Sequence, residues 1–354
     1  MIMAGGTGGH VFPGLAVARE LINQKAQVVW LGTRHGLEAQ LVPAGGLPIE
    51  VEWIAIRGLR RSGWLRWLTL PFTLARALYQ ALRVVRRRRP NVILSMGGFV
   101  AGPGGVVAWL TRTPLVIHEQ NAIPGLTNRL LAPLAREVLC GFPMAFGGAV
   151  KVRHVGNPVR AAIAALPDPE QRLASRTGPL RLLVIGGSRG AQALNEIVPQ
   201  AMAALAEAQR PEIWHQCGRA AEEATRRAYG QVPARVDAFI EDMAQAYAWA
   251  DVVLCRAGAM TVAELAAAGC ASILVPYPYA VDDHQTANAS YLTGRDAAIL
   301  LPQAELTPAR LAEVLGELGP HREVLMRMAH AARGCASPDA AAVVAQTCLE
   351  VAHA

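Results

Sequence analysis

The sequence predicts an α/β fold with two Rossmann-like, doubly wound parallel-sheet domains that face each other across a cleft. Three observations predict it. A unit of strand, glycine loop and helix occurs twice along the chain, near its start and near its middle. Candidate strands and helices alternate between and after these two copies. The length of 354 residues is enough for two domains that each bury a core.

The two copies have the same local pattern. The first runs from an aliphatic strand into Gly-Gly-Thr-Gly-Gly-His at residues 5–10, and the second into Gly-Gly-Ser-Arg-Gly-Ala at residues 186–191. A third glycine-rich loop lies at residues 97–105. Such loops bring backbone N–H groups and a helix N-terminus to one point, which suits phosphate. No lysine follows the last glycine of the first loop, so it is not a Walker A motif. We expect a site that handles a diphosphate.

Further strands are predicted at residues 28–31, 92–94, 115–118, 213–216, 252–255 and 272–275. Their alternation with helices implies parallel sheets with right-handed crossovers. The turn-rich Gly-Asn-Pro at residues 156–158 predicts a hinge between the two halves. We expect domains at residues 1–159 and 160–336, with a last helix over residues 337–354 that packs back on the first domain.

Composition excludes several other classes of protein. The six cysteines are scattered and form no CxxC pair, which argues against a zinc site or a disulfide framework and suits a reducing compartment. Residues 91–110 carry no charge and have the length of a membrane span, but they contain several glycines and a proline. We expect a buried strand, a loop and a helix there. The acidic segment at residues 282–285 lacks partner ligands elsewhere, so no metal is expected.

Polar residues at predicted strand ends are the candidate site residues. His10 closes the first loop, where a helix N-terminus favours a neutral imidazole that can act as a base; the alternative is a helix cap. Glu264 follows another strand-to-helix turn and is suited to holding ribose hydroxyls; the alternative is a glutamate favoured by the helix dipole. The cluster His-Glu-Gln-Asn at residues 118–121 directly follows a strand, where open α/β sheets bind ligands.

A basic and apolar segment indicates a membrane surface. Ten arginines and no acidic residue lie between Arg57 and Arg89. Among them are the apolar residues Trp64, Trp67, Leu68 and Phe72. Rings at headgroup level and guanidinium groups on lipid phosphate suit an anionic membrane. Nucleic acid does not explain the apolar residues, so no nucleic-acid partner is expected.

The later part of this segment has helical spacing. The stripe Leu74, Leu78, Leu82 and Val85 is expected in the core. Arg76, Arg83 and Arg87 lie on another face of the same predicted helix and are expected to be free to meet anionic lipid.

Seven motifs in a fixed order carry a resemblance to a known family. They are residues 5–10, 96–105, 118–121, 156–160, 186–191, 256–261 and 284–289. Over essentially the whole chain the sequence resembles the MurG family of glycosyltransferase family 28, the UDP-N-acetylglucosamine:lipid I N-acetylglucosaminyltransferases of peptidoglycan synthesis. The resemblance implies a GT-B fold, with the donor held mainly by the second domain and the lipid acceptor by the first.

The resemblance also implies functional residues. Matching the family's UDP-sugar contacts are Thr7, Gly8, Gly9, Asn121, Arg160, Ser188, Ile240, Ala259, Met260, Thr261, Val262, Ala263, Glu264 and Gln285. Glu264 is expected to hold the ribose, Ser188 the phosphates and Gln285 the sugar. Catalysis is assigned to His10, Asn121 and Glu264, and the membrane-facing patch to Trp64, Trp67, Leu68, Phe72 and Trp109.

The implied reaction is an inverting transfer to the C4 hydroxyl of the N-acetylmuramyl group of lipid I, without a cofactor. The implied partners are UDP-N-acetylglucosamine, lipid I, an anionic membrane surface and proteins of cell-wall synthesis. The implied location is the cytoplasmic face of the bacterial inner membrane, as a peripheral protein. Two alternatives remain open at this point, namely a UDP-N-acetylglucosamine 2-epimerase and a non-catalytic module that binds a lipid pyrophosphate.

Overall fold

The computed structural model describes residues 1–56, 65–143, 145–148, 151–187 and 190–354, and for residues 65–69 it describes the backbone alone. The chain divides into two compact units. The first unit consists of Met1–Arg160 together with Ser337–Ala354, and the second of Ala161–Ala336.

The strands are β1 (Ile2–Met3), β2 (Val29–Gly32), β3 (Glu50–Trp53), β4 (Ile93–Ser95), β5 (Leu115–Glu119), β6 (Glu137–Cys140), β7 (Arg153–His154), β8 (Arg181–Ile185), β9 (Glu212–Gln216), β10 (Arg235–Asp237), β11 (Val252–Cys255), β12 (Ala271–Leu274) and β13 (Ala298–Leu300). The helices are α1 (Gly8–Asn23), α2 (Glu38–Ala44), α3 (Leu65–Arg88), α4 (Ala101–Leu110), α5 (Leu126–Leu131), α6 (Ala161–Ala164), α7 (Pro169–Leu173), α8 (Gln192–Ala204), α9 (Glu222–Tyr229), α10 (Met243–Trp249), α11 (Ala259–Ala268), α12 (His284–Thr293), α13 (Pro308–Leu318), α14 (Arg322–Gly334) and α15 (Ala340–His353). Short 3-10 helices lie at Ala132–Leu134, Glu207–Gln209 and Val281–Asp283.

Each unit contains one parallel sheet within the residues that the structure describes. The first has seven strands in the order β3-β2-β1-β4-β5-β6-β7, and the second has six in the order β10-β9-β8-β11-β12-β13. In both sheets the first strand lies in the middle, and the second and third strands follow on one side of it. The fourth strand pairs with the other side of the first strand. This is the doubly wound order, and its switch point lies between the first and fourth strands. The sheets confirm the predicted fold class and the internal repeat.

The first sheet is buried on both faces. Ile2 and Trp30 belong to the core beneath α1, whereas their neighbours Met3 and Leu31 belong to the core beneath α3 and α4. Side chains alternate in this way because successive strand residues point to opposite faces. Val344 of α15 packs into the α1 side, so the last helix completes the core of the first unit.

The second sheet repeats this arrangement. Leu182 and Val184 of β8 pack against Leu194 of α8 and Leu311 of α13. The strand is buried along most of its length and its sequence is almost entirely aliphatic, as expected for a parallel strand covered on both faces. The helix α8 follows β8 directly after the second glycine loop, at the point where α1 follows β1 in the first unit.

The uncharged segment at residues 91–110 forms β4, a glycine loop and α4, which confirms the predicted strand, loop and helix. None of the helices in the described ranges has both the length and the apolar character needed to cross a bilayer. The strands β3, β6, β7, β10 and β13 were not predicted. Four of the five are edge strands, where fewer residues are buried and the apolar pattern is short, and β6 lies next to an edge.

Candidate active site

The first group of site residues lies at the carboxyl end of the first sheet, where β1, β4 and β5 are neighbours. Thr7 is the N-cap of α1, and Gly8 and Gly9 are the first two residues of that helix. His10 follows in the first turn, and its backbone N–H donates to the carbonyl oxygen of Thr7 at 3.2 Å. The glycine loop therefore ends in a helix whose first turn carries the imidazole.

The imidazole of His10 is held between two other loops. Its Nδ1 lies 2.8 Å from Oε1 of Gln120, which follows β5. On the other side, Gly97 and Gly98 after β4 have φ angles of +90° and +82°. A Cβ atom on Gly97 would lie 3.4 Å from Cε1 of the ring, and one on Gly98 would collide with the carbonyl of Gly5. Glycine is needed here because the loop both turns with positive φ and passes directly against the site.

In the polar cluster at residues 118–121, the first three residues are buried and Asn121 is partly exposed. Glu119 is only 1% exposed. Its carboxylate accepts hydrogen bonds from the backbone and side-chain amides of Asn121 at 2.9 and 3.1 Å, from Gly125 N–H at 3.1 Å, and from Asn128 Nδ2 at 2.9 Å. Glu119 thus anchors the loop that carries Asn121. Asn121 is adjacent in sequence to the residue that contacts His10.

Beneath His10 lies a buried chain of hydrogen bonds. The amide nitrogen of Gln120 donates to the carbonyl oxygen of His118 at 3.0 Å and lies 3.1 Å from Nδ1 of the His118 ring. Nε2 of His118 lies 2.9 Å from the carbonyl oxygen of Gly156. Burial lowers the pKa of His118 to about 4, so this imidazole is neutral at physiological pH.

A buried carboxylate under the first glycine loop was not predicted. Glu38 is fully buried at the start of α2. Its Oε2 accepts from the backbone N–H of Gly6 at 3.0 Å, and its Oε1 accepts from the N–H and hydroxyl of Thr33 at 2.9 and 2.8 Å. Nothing in the local sequence indicates a role for Glu38, because a single glutamate after β2 is not part of a motif.

The second glycine loop has a different set of contacts. Gly187 and Gly190 have φ angles of +81° and +74°. The carbonyl oxygen of Gly187 accepts from the N–H of Gly190 and from the side-chain amide of Gln216, both at 2.9 Å. A Cβ atom on Gly190 would collide with the carbonyl of Cys217, which explains the need for glycine. Ser188, the predicted phosphate contact, lies outside the described residues.

The helix α11 carries most of the second group. It begins after the N-cap Gly258 with Ala259, Met260, Thr261, Val262 and Ala263. Glu264 lies in the second turn and is 8% exposed. Its Oε2 accepts a hydrogen bond from the hydroxyl of Tyr247 at 3.1 Å. The side chain is a fixed and mostly buried carboxylate, and it lies beyond the first turn of the helix, where a glutamate is favoured by the helix dipole.

Two further predicted residues lie in the second unit. Ile240 follows β10 and is 5% exposed. Gln285 lies in the first turn of α12, and its Oε1 accepts from the backbone N–H of Tyr277 at 2.9 Å. Arg160, in the first unit, has its guanidinium carbon 5.3 Å from the ring centroid of Phe12 on α1. This cation–π contact places Arg160 beside the helix that carries His10.

The acidic segment before α12 makes local contacts. Asp283 accepts from the hydroxyl of Thr286 at 2.8 Å, and Nδ1 of His284 donates to the carbonyl oxygen of Val281 at 2.8 Å. Among the described residues, no group of three or more His, Cys, Asp or Glu side chains is placed to hold a metal ion.

The predicted membrane-facing patch is partly described. Phe72 on α3 is 80% exposed, and Trp109 on α4 is 56% exposed. Trp64 lies outside the described residues, as do the side chains of Trp67 and Leu68.

Two expectations for α3 are wrong. Leu74 is 42% exposed instead of lying in the core, because only the residues from Ala77 onward face the sheet. Arg87 is not free, because it forms an ion pair with Glu52 of β3. Arg88 lies at the same edge of the sheet and contacts both Glu50 and Glu52 at 2.6 Å. The charge of this end of the helix is therefore partly neutralised within the protein.

The predicted site residues fall into two groups, one in each unit. The first unit holds Thr7, Gly8, Gly9, His10, Asn121 and Arg160. The second holds Ile240, Ala259, Met260, Thr261, Val262, Ala263, Glu264 and Gln285. Both groups lie at the carboxyl ends of parallel strands, which is where doubly wound sheets bind their ligands.

Comparison with known proteins gives a consistent result over the whole chain. The model of the glycosyltransferase family 28 N-terminal domain matches residues 1–140, and that of the C-terminal domain matches residues 181–344. A relative from Nitrosococcus oceani is 56% identical over 99% of this chain and 98% of its own length. It is named UDP-N-acetylglucosamine–N-acetylmuramyl-(pentapeptide) pyrophosphoryl-undecaprenol N-acetylglucosamine transferase.

Solved structures give two kinds of likeness. The crystal structure of MurG from Acinetobacter baumannii is 41% identical and has a TM-score of 0.85, with 99% of each chain covered. UDP-GlcNAc 2-epimerase from Neisseria meningitidis, bound to UDP-GlcNAc, covers 99% of this chain and 98% of its own with a TM-score of 0.68. Its identity is 11%, so it shares the fold alone.

Proposed function

The chain belongs to glycosyltransferase family 28, and from this membership we propose that it transfers N-acetylglucosamine from UDP-N-acetylglucosamine to lipid I. The acceptor is the C4 hydroxyl of the N-acetylmuramyl-pentapeptide, and the product is lipid II of peptidoglycan synthesis. The observation that carries the proposal is the 56% identity, over 99% of the chain, to a relative that is named for this transfer. The two doubly wound units are those of a GT-B glycosyltransferase.

In the proposed mechanism the C4 hydroxyl attacks the anomeric carbon directly, and the configuration at that carbon inverts. A general base must remove the hydroxyl proton as the new bond forms. His10 is assigned this role, because it lies in the first turn of α1 with its ring fixed by Gln120 at 2.8 Å. Asn121, on the adjoining loop that Glu119 anchors, is assigned to orient the reacting sugar.

The donor is assigned to the strand ends of the second unit. Glu264 holds the ribose hydroxyls, since a carboxylate already fixed by Tyr247 can accept from both at little further cost in entropy. The second glycine loop with Ser188 holds the phosphates, and Gln285 holds the sugar. Arg160 and the second loop stabilise the negative charge on the departing UDP.

The first glycine loop is better suited to the acceptor than to a pyrophosphate. The N–H of Gly6 already donates to the buried carboxylate of Glu38 at 3.0 Å. A phosphate at this point would compete for that donor and would lie near a carboxylate. We therefore assign the pyrophosphate of the donor to the second loop, and Thr7, Gly8 and Gly9 to the region where the sugar and acceptor meet.

A membrane-facing surface on the first unit is part of the proposal. Phe72, Trp109 and Leu110 expose 80%, 56% and 59% of their area. A surface cavity of about 710 Å³ is lined in part by Trp109 and Leu110, together with Arg112 and Arg136. Exposed rings beside guanidinium groups suit the interface of an anionic bilayer. We place the enzyme peripherally on the cytoplasmic face of the inner membrane, where lipid I and other proteins of cell-wall synthesis meet it.

The test is transfer of radiolabelled N-acetylglucosamine from its UDP donor to a short-chain lipid I analogue, in the presence of EDTA. A labelled disaccharide-lipid is the expected product. Binding of the UDP-sugar without transfer, but with epimerisation at C2, would identify an epimerase instead. Binding with neither reaction would identify a non-catalytic binding module, and either result would overturn the proposal.

A further inference from the structure

We propose that Gln120 is a positioning residue that fixes the tautomer of His10, holding its proton at Nδ1 so that Nε2 faces the acceptor as the base. This inference rests on the proposed function, in which His10 accepts the proton of the C4 hydroxyl. It goes further by stating which nitrogen reacts and what sets that choice. Four hydrogen-bond contacts of the first unit carry it.

The first step is the orientation of the Gln120 amide. One end of this amide lies 3.0 Å from the backbone carbonyl oxygen of His118. A carbonyl oxygen only accepts, so the group that faces it must be the amide nitrogen. The orientation is therefore fixed by its partner and does not depend on telling nitrogen from oxygen by appearance.

The second step follows at the other end of the same amide. Oε1 of Gln120 lies 2.8 Å from Nδ1 of His10. An amide oxygen only accepts, so Nδ1 of His10 must carry the hydrogen. A neutral imidazole has a single N–H, and Nε2 is then left with its lone pair. In the described part of the chain, no residue hydrogen-bonds to this Nε2.

The third step concerns the contacts that prevent the amide of Gln120 from rotating by 180°. The carbonyl oxygen of Gly156 accepts from Nε2 of His118 at 2.9 Å, so Nδ1 of His118 is an acceptor. It faces the amide nitrogen of Gln120 at 3.1 Å. If the amide were reversed, its oxygen would face two buried acceptors, the carbonyl oxygen and Nδ1 of His118. Its nitrogen would face the N–H of His10. Both His118 and Gln120 are almost fully buried, so such mismatches are costly.

The chemistry that results is balanced. The C4 oxygen of the acceptor forms a bond to the anomeric carbon, and its proton passes to Nε2 of His10. The bond from that carbon to the phosphate oxygen breaks, and UDP leaves with the electron pair. The imidazolium formed keeps its Nδ1–H on the oxygen of Gln120, which stabilises the positive charge as it develops.

The test is long-range proton–nitrogen NMR correlation on protein labelled with ¹⁵N-histidine, recorded at mildly alkaline pH. The His10 signals are identified by their loss in His10→Ala. In the wild type we expect Nδ1 to be protonated and Nε2 to be unprotonated. Gln120→Met removes the acceptor, and a second set of signals from the Nε2–H tautomer should appear.

The same variants give a kinetic readout. Gln120→Met should lower kcat by about tenfold to a hundredfold, since the reactive tautomer is no longer enforced, with the affinity for UDP unchanged. Gln120→Glu keeps an acceptor oxygen at Nδ1 of His10 and should keep that nitrogen protonated, while its other oxygen replaces the amide nitrogen that donates to the carbonyl oxygen of His118. If a variant proves not to fold, as judged by the loss of cooperative urea unfolding of the first unit, the NMR measurement on the wild type carries the test.

An unprotonated Nδ1 on His10, in the wild type or in Gln120→Glu, would overturn the proposal. A folded Gln120→Met that retains the single Nδ1–H tautomer would overturn it as well. The NMR measurement needs no transfer reaction, so it is independent of the proposed function. Product formation by an enzyme whose His10 carries its hydrogen on Nε2 would leave the function standing and remove only this inference.

Discussion

The two glycine loops begin from the same sequence pattern and occupy the same place in two sheets of the same order, but different groups hold them. The first loop is tied down through an N–H of Gly6, which donates to the buried carboxylate of Glu38. The second loop is held through the carbonyl oxygen of Gly187, which accepts from Gln216. The anchor of the first loop is a carboxylate that accepts from an N–H of the loop. The anchor of the second loop is a neutral amide that donates to a carbonyl oxygen of the loop.

This difference in anchoring distinguishes the two roles that we assign to the loops. The shared sequence pattern alone does not distinguish them. An anchor that uses an acceptor of the loop takes up none of its N–H donors, the groups that suit phosphate oxygens. A loop anchored on a carboxylate is less suited to an anion, but its helix begins with His10, whose imidazole is fixed by Gln120. Two copies of one βα unit thus carry the two roles that we assign, anion binding in the second unit and proton transfer in the first.

The largest expected effect is on the first loop. His10→Ala should reduce kcat by about 10²- to 10⁴-fold, because a positioned general base is lost, with UDP affinity nearly unchanged. Steady-state transfer assays and calorimetric UDP titration measure the two quantities. The matched control is His353→Ala, which removes an exposed imidazole from α15 in the same unit and should have wild-type kinetics. Equal turnover in the two variants would remove His10 from the mechanism.

The next effect concerns the anchor of the first loop. Glu38→Gln places an amide nitrogen against one of the N–H groups of Gly6 or Thr33 inside the protein. We expect a loss of about 3 kcal/mol in the free energy of unfolding of the first unit, because a buried donor faces another donor. Urea unfolding followed by tryptophan fluorescence measures it. A cost below about 0.5 kcal/mol would show that the carboxylate is not the anchor.

A buried neutral histidine lies in each unit, and the pH dependence of stability should report both. The pKa values of His118 and His215 are lowered from 6.5 to about 4 by burial. The unfolded chain therefore takes up protons first as the pH falls from about 6.5 to 4. Over this range the free energy of unfolding should fall by about 1.4 kcal/mol per pH unit for each histidine.

Titration of unfolding by urea at several pH values measures this slope. His215→Gln should reduce the slope between pH 6.5 and 4 by the contribution of one proton, while the contribution of His118 in the first unit remains. An unchanged slope in this variant would contradict the assignment of a neutral, buried imidazole to residue 215.

The smallest effect concerns the anchor of the second loop. Gln216→Met removes the neutral donor to Gly187, at a cost of about 1 kcal/mol in stability, because the carbonyl oxygen keeps the N–H of Gly190. The KM for the UDP-sugar should rise severalfold with kcat retained, since the loop is assigned to donor binding. A fall in kcat at constant KM would place this loop with the proton transfer instead.

The regular part of the fold was predictable because central parallel strands are aliphatic over their whole length. The strands at residues 115–118 and 252–255 were predicted to within one residue. The edge strand β3 was missed, since it has only four residues, Glu-Val-Glu-Trp, and its glutamates look solvent-facing. Both glutamates in fact attract Arg88 of α3, a contact distant in sequence that no local pattern indicates.

The candidate site was predictable where a residue type has a local reason to be present. His10 and Glu264 stand beside glycine turns, and both lie at strand ends in the structure. The supporting groups Glu38, Gln120 and Tyr247 were given no role of their own, because each acts through a residue brought to it only by folding. The contact between Gln120 and His10 spans a sequence separation of 110 residues.

The last helix has a consequence for the order of events during synthesis. Val344, Ala345 and Cys348 of α15 complete the core against α1, the helix that carries His10. The first unit is therefore formed by two separate segments of the chain, with the whole second unit between them. When synthesis has reached residue 336, the core on the α1 side of the first sheet still lacks the side chains of α15. The second unit, continuous in sequence, is able to fold first, and the helix that carries His10 gains its contacts with α15 only after the second unit has been made.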